Sequence, residues 1–467
     1  MRRIITVLVL FFLAMQVWAQ ERELKLPPDL PPYGPLKPMS SPKVQEEHLS
    51  NGLTVWLVPR AGFPKVTFLL TVRGGFAADP PTRPGIAEFL ADTVNQGTKN
   101  RTVQEIAQEI QAAGGELQVK ASTDSISLEA TVLASRADPA LSVLADVAQN
   151  ADFPAGQVEI VRKGLENSLQ RQMAEPAFLA RHGLAAAMFG DQPYAVLAPT
   201  QATMKDATVE ELRSEYARRF RPDQAMLLVI GDFEVPPMFG VIRQRLGAWK
   251  PEGDAKVAAL LPQKQEANGT LSLIPRANSV QTRFMMASLG PKEKDPDYAA
   301  ARVATLVCGR RISRNIREDK GYAYSAGADV LRQGEANLLL AAATVRNPVT
   351  GATWNELRYE LDRMATTAPT ASEVDGAKHF LIGYEALNLQ PQAALAERLG
   401  ELWTMGLDAD QIGKEGEALE KVTAADVERI GRERLAASQM TAVAVGDGST
   451  IEEQITPLGI KLKKTQK

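Results

Sequence analysis

A chain of 467 residues is long enough to build two or more separate cores. With 45% apolar and 23% charged residues it has the profile of an ordinary soluble globular protein. Lys+Arg at 53 against Asp+Glu at 56 leaves a formal charge of −3, and no Lys/Arg-rich block stands out, which argues against a nucleic-acid partner.

The first elements along the chain concern export. Met1-Arg2-Arg3 supplies a positive start, Ile4 to Met15 an apolar run broken only by Thr6, and Val17-Trp18-Ala19 a cleavage-type ending. The apolar run is shorter than the roughly 20 residues a membrane-spanning helix needs. Residues 1–19 therefore read as a secretory signal peptide, with no membrane span left after cleavage; a retained N-terminal anchor is the alternative. No cysteine follows the cut, so a lipid-anchored form is not expected. Residues 20–43 are dominated by prolines (Pro27, Pro28, Pro31, Pro32, Pro35, Pro38, Pro42) and predict an extended arm, either a tether or a strap packed on the body.

From Leu49 the pattern becomes that of a folded domain. Asn51-Gly52 signals a turn before a β-rich run, Leu53 to Val58, ended by Pro59. Val66 to Val72 predicts a second strand, stopped by Gly74-Gly75. Gly85 to Asn95 reads as a helix with Ile86, Phe89, Leu90 and Val94 along one face. Thr102 caps a further helix that Gly114-Gly115 stops. Leu117 to Val132 alternates in strand fashion around Thr123-Asp124, and helical spacing returns over Ala137 to Val147 and Val158 to Met173.

The same order then begins again. Leu271-Ser272-Leu273-Ile274-Pro275-Arg276-Ala277 answers Leu57-Val58-Pro59-Arg60-Ala61, with Pro275 lying 216 residues after Pro59. A strand (Thr282 to Leu289), a helix (Asp297 to Cys308), two β-rich runs (Tyr322 to Leu331, Ala336 to Val345) and two helices (Thr353 to Met364, Ser372 to Leu389) complete the parallel. A period this long indicates a duplicated domain and not a solenoid. The expected layout is an N-terminal domain over 44–250, a linker over 251–267, a C-terminal domain over 268–455 and a tail over 456–467. Strands and helices mix without a regular βαβ rhythm, so the predicted class is α+β: two homologous repeats, each a largely antiparallel sheet packed with helices.

The sole cysteine, Cys308, sits in an apolar run and is expected to be a buried structural thiol. His48, His182 and His379 are isolated in sequence and read as structural or surface residues. No H-E-x-x-H, G-x-S-x-G or phosphate-loop pattern occurs.

Gly85-Ile86-Ala87-Glu88-Phe89-Leu90-Ala91-Asp92, with Gly97-Thr98 following, resembles the inverted zinc motif of the insulinase/pitrilysin family of metallopeptidases, G-[IL]-A-H-F-L-E-H. In that motif two histidines four apart on one helix hold zinc, and the glutamate before the second acts as base on the metal-bound water. Here Glu88 replaces the first histidine, Ala91 the glutamate and Asp92 the second histidine. Two carboxylates without a nitrogen ligand select zinc poorly, so no metal and no catalytic residue is expected in this chain. The family's third ligand, a glutamate on a later helix, falls near Ser168 by counting back from Pro176, with Glu166 two residues away.

Arg310-Arg311-Ile312-Ser313-Arg314-Asn315-Ile316-Arg317-Glu318-Asp319-Lys320-Gly321-Tyr322-Ala323-Tyr324-Ser325 is similar to the family's C-terminal signature, and Arg317 and Tyr324 match its Arg/Tyr pair. The resemblance implies that this pair hydrogen-bonds bound peptide across a cavity from the zinc. A guanidinium offers a rigid fork of donors to a carbonyl, and a phenol donates into a developing oxyanion. Some bacterial members divide the work between a chain with the zinc motif and one without it that supplies the Arg/Tyr pair, closing like a clamshell on unfolded peptide. The resemblance thus implies an exported, periplasmic, non-catalytic subunit, with zinc in a partner subunit of the same family. The alternatives are a peptide-binding or scaffolding pseudoenzyme with no part in proteolysis, and an autonomous hydrolase using other residues.

Overall fold

The computed structural model describes residues 39–251 and 269–464; the expected signal peptide, the Pro-rich arm up to residue 38 and the expected linker from residue 252 lie outside the described residues. Twelve strands are found among the described residues: β1 Gln45–His48, β2 Thr54–Pro59, β3 Lys65–Arg73, β4 Leu117–Ala121, β5 Ser125–Leu133, β6 Ala225–Gly231, β7 Thr270–Pro275, β8 Gln281–Leu289, β9 Ala323–Leu331, β10 Leu338–Arg346, β11 Thr441–Gly446 and β12 Lys461–Lys464. They form two six-stranded sheets, ordered β1-β2-β6-β3-β5-β4 and β12-β7-β11-β8-β10-β9. Five positions of one sheet answer five of the other. The pairs β2–β6, β7–β11 and β7–β12 are parallel and all others antiparallel. The α+β class with two homologous, largely antiparallel sheets is thus the observed architecture.

Side-chain patterns explain the strand positions. β6 (AMLLVIG) and β11 (TAVAVG) are buried at every residue, as continuous apolar runs must be when both sheet faces are covered. β5 (SISLEATVL) buries every second residue, the mark of a strand with one face on a core. The sixth place in each sheet is filled from opposite ends of the chain, by β1 in the first and β12 in the second. Residues 456–467, expected as a tail, therefore include a strand paired in register with β7, Leu462 opposite Leu271. Its Lys-rich sequence (KLKK) concealed it, yet lysines suit an exposed edge strand.

The helices used below are α1 Ile86–Val94, α2 Val103–Ala112, α3 Ala137–Asn150, α4 Ala155–Ala174, α5 Pro176–Phe189, α6 Val209–Arg219, α7 Tyr298–Ile312, α8 Thr350–Thr366, α9 Ala371–Asn388, α10 Gln392–Thr404 and α11 Gln411–Lys421. One core lies between the first sheet and helices that include α1, α2 and α3, and a second between the second sheet and helices that include α7, α8 and α9. α2 starts at a capping box, with Thr102 Oγ1 accepting from Glu105 N and the Glu105 carboxylate from Thr102 N.

Two further cores join the halves. α5, from the first half, lays Ala180, Leu184 and Met188 against Ile274, Met285 and Val443 of the second sheet. α10, from the second half, lays Leu395, Leu399 and Leu402 against Leu69, Leu228 and Ile230 of the first. Each half thus covers the other's sheet. An aliphatic side chain moved from water to such an interface contributes about 1.5–3 kcal/mol.

Candidate functional site

Asp79 holds the amino end of α1. One carboxylate oxygen accepts from Gly85 N at 2.6 Å and the other from Ala87 N at 3.2 Å. Gly85 has φ 85°, and a Cβ there would lie 2.2 Å from Pro199 Cα, so no other residue fits. Arg219, wholly buried, binds Asp79 at 2.7 Å, Glu215 at 2.8 Å and the Gly74 and Gly75 carbonyls. Burial drives the Asp79 carboxyl up to about 6, against the opposing pull of Arg219. Beyond the other end of α1, Thr98 Oγ1 donates to Asp146 at 2.6 Å and accepts from Asn100 N and Arg101 N. Gly85 and Thr98 therefore have local structural duties that do not depend on zinc.

On that helix Glu88 is half-buried, Ala91 is 0% exposed and Asp92 is exposed. Burial, and then the neighbouring Asp92 charge, push the Glu88 carboxyl up to about 7. Burial also raises Asp92: its carboxylate is accessible to water, but the surrounding protein limits its solvation. The site thus holds two carboxylates that resist ionisation. On α4, Leu165 is buried in the first core, Ser168 is half-buried and accepts from Gln172 Nε2 at 3.4 Å, and Glu166 faces solvent. The Arg162 guanidinium lies 5.0 Å over the Phe89 ring, placing a cation beside α1. Among the described residues no group of three or more His, Cys, Asp or Glu could hold a metal ion. His48 is exposed beside Glu46, His182 stacks on Phe178 at the surface, and His379 is exposed. Cys308 is fully buried, and burial pushes its thiol up to about 12.

The second region is built from the end of α7 and the edge strand β9. α7 widens over Ser313–Asp319 into a π-type turn, closed by Lys320 N donating to Asn315 O at 3.2 Å. Gly321, at φ 61°, reverses the chain, and Tyr322 N reaches back to Ile316 O at 2.9 Å in a Schellman-type closure. Asn315 anchors the turn, donating to Glu356 at 3.0 Å and Glu360 at 2.7 Å on α8. The following strand carries an irregularity: Ser325 pairs with Thr344 but Ala323 with Val345, leaving Tyr324 as the extra residue of a β-bulge. Bulges re-aim side chains, and Tyr324 is 89% exposed.

Arg317 and Tyr324 line one open pocket of 490 Å³ together with Gln281, Thr344 and Arg346. Neither side chain forms a hydrogen bond or ion pair with another described residue. Sequence reasoning did not single out Arg346, Thr344 or Gln281. They lie on one face of β8 and β10, and only the register, Arg346 opposite Gln281 and Thr344 opposite Arg283, brings them to the pocket.

Two interlocked α+β halves, one with a zinc-type helix lacking its ligands and one with an open Arg/Tyr pocket, define a metallopeptidase-like protein without the zinc motif. Two family models match the chain, Insulinase (Peptidase family M16) over residues 56–199 and Peptidase M16 inactive domain over residues 206–381. The chain belongs to the insulinase family. It is 26% identical over 331 residues to an uncharacterised zinc protease of Mycobacterium leprae, covering 68% of this chain and 73% of that protein. It is 21% identical over 326 residues to the non-peptidase homologue YmxG of Helicobacter pylori, covering 68% of this chain and 74% of that one. The fold is similar to a peptidase M16 inactive domain from Pseudomonas fluorescens, with TM-score 0.79, 22% identity and coverage of 86% and 98%. It is also similar to the first half of the periplasmic protease PqqL of Escherichia coli, with TM-score 0.73, 15% identity and coverage of 90% and 95%.

Proposed function

We propose that this chain is a non-catalytic subunit of an exported zinc metallopeptidase and contributes the Arg317/Tyr324 wall of a peptide-degrading chamber. The observation that carries the reading is the pocket itself. A guanidinium and a phenol converge on it with no internal partner, and a bulge and a π-type turn hold them there. Donors without partners suit the carbonyl of an extended peptide, which offers acceptors and no charge. The substrate is unfolded peptide, and the zinc and its activated water belong to a partner subunit of the same family. On α1, by contrast, Ala91 has no proton to exchange and Glu88 and Asp92 offer no nitrogen ligand.

Export to the periplasm rests on the charged, then apolar, then small-residue pattern of residues 1–19. Among the described residues no helix is long and apolar enough to cross a membrane. The similarity to a protein named a non-peptidase homologue supports a second reading, a scaffold that assists no cleavage.

Mixing the chain with an exported zinc-motif relative from the same source tests the proposal. Co-purification, and peptide cleavage by the mixture but by neither chain alone, is the expected result. Cleavage by the isolated, metal-stripped chain overturns it, and so does a failure to associate with any such peptidase.

A further inference from the structure

The face of the second sheet on which α5 packs takes in β10 as far as Leu338, Leu340 and Ala342 and is open beyond them, at Thr344, Arg346 and the edge strand β9. Four arginines lie around this open end, on the π-type turn, β10, β8 and α5. Arg317 and Arg346 line the pocket. Arg283, on β8, pairs across the sheet with Thr344 and donates to its Oγ1 at 3.0 Å. Burial, and then the charge of Arg181, exposed on α5, lower the affinity of Arg283 for its proton. None of the four forms an ion pair with a described carboxylate, and the Arg283 Nε is buried without a hydrogen-bond partner. The most deeply buried arginines are ion-paired, Arg219 with Asp79 and Glu215, Arg302 with Glu385 and Glu415, Arg398 with Glu293, whereas Arg73 and Arg434, like Arg283, keep a buried Nε without a partner.

The internal repeat shows that the fold does not require these charges. α5 and α10 begin 216 residues apart, and so do β3 and β8. The residue of α10 equivalent to Arg181 is Glu397, and that of β3 equivalent to Arg283 is Thr67, which hydrogen-bonds Thr131 at 2.8 Å on the neighbouring strand. The residue equivalent to Arg346 is Leu133, which lies opposite Lys65 as Arg346 lies opposite Gln281. One half thus places glutamate, threonine and leucine where the other places three arginines. Like charges left together without counter-ions weaken the free protein and favour an anionic ligand.

We propose that the strip Arg181–Arg283–Arg346, running on from the Arg317/Tyr324 pocket, is a subsite for aspartate and glutamate side chains, so that the chamber selects acidic unfolded peptides. The inference rests on the peptide-binding reading above and adds its substrate class. A planar guanidinium matches a carboxylate with two parallel hydrogen bonds, and the bond from Arg283 to Thr344 holds its fork in place beside the pocket. A polyanion such as single-stranded nucleic acid is the competing ligand. The continuity of the strip with a pocket suited to peptide carbonyls favours peptide.

The test is fluorescence anisotropy on the full mature chain at low ionic strength. The probes are two N-terminally labelled, C-terminally amidated peptides of identical length, one with Asp and Glu at several positions and the other with Asn and Gln in their place. The acidic peptide binds about 10-fold tighter, and the gap closes as salt is raised. In Arg181→Gln and, separately, Arg346→Gln, the ratio of the two affinities falls towards one, whereas Arg317→Ala weakens both peptides alike. Equal binding of the two peptides to the native chain, with Arg317→Ala still weakening both, overturns the acidic subsite and leaves the peptide-binding reading standing. Binding of neither peptide overturns both. Displacement of the acidic peptide by a single-stranded oligonucleotide at lower concentration than by unlabelled acidic peptide also overturns it.

Discussion

Asp79 and Arg219 form an ion pair at 2.7 Å with side chains 2% and 0% exposed, and through it the body of the first half grips the amino end of α1. Removing Arg219 leaves the Asp79 carboxyl and the Gly74 and Gly75 carbonyls buried without their donor. Arg219→Met therefore costs about 3–5 kcal/mol, measured by urea unfolding. Arg213 and Asp152, 3.6 Å apart and about half exposed, are the control, and Arg213→Met stays within about 1 kcal/mol.

Glu88 gives the emptied helix a pH signature. Its carboxyl is raised from 4.5 to about 7 in the folded chain, so the folded state disfavours the charged form. The stability it allows is fully present below about pH 4.5 and is lost as pH rises through 7. Glu88→Gln removes that penalty. The substitution raises Tm by about 1–2 °C at pH 8 and leaves it unchanged at pH 4, as read by scanning calorimetry.

The interlocked helices need small residues at their contacts. A Cβ on Gly183 of α5 would meet Ile274 Cδ1 at 2.2 Å, and one on Gly400 of α10 would meet Leu69 Cδ2 at 2.8 Å. Gly183→Leu forces both α5 and the second sheet to shift, at about 1–3 kcal/mol. Gly164 on α4 has nothing within 4 Å, so Gly164→Ala gains helix propensity and stabilises by about 0.5–1 kcal/mol. Parallel urea titrations of the two variants show shifts of opposite sign.

Cys308 lies wholly inside the second core with its thiol raised to about 12. At pH 8 the native chain leaves a thiol reagent unconsumed, and unfolding in guanidinium releases one equivalent.

Much of the fold was legible because its signals are local. Thr102 and the Gly114-Gly115 stop announce α2, the alternation in β5 announces a half-buried strand, and the Pro59/Pro275 echo announces the duplication. α5 and α10 were not read. α5 is apolar or small over most of its length (PAFLARHGLAAAMF) because it packs between its own half and the other half's sheet, so no clean helical stripe marks it. β12 was missed because an edge strand of lysines carries no apolar pattern. At the candidate site, Arg317 and Tyr324 were found by a linear motif, whereas Arg283 and Arg346 are brought to neighbouring strands only by sheet register, and Arg181 to that sheet only by the packing of α5. No spacing in the sequence joins them.

The central claim is that Arg317 and Tyr324 act on substrate opposite a partner's zinc. The most direct test is kcat/KM for peptide cleavage by the assembled two-chain enzyme carrying Arg317→Ala or Tyr324→Phe. Assembly is confirmed for each variant by gel filtration. Each substitution lowers kcat/KM by about 10²-fold while the complex still forms. Unchanged kcat/KM in an intact complex would contradict the account.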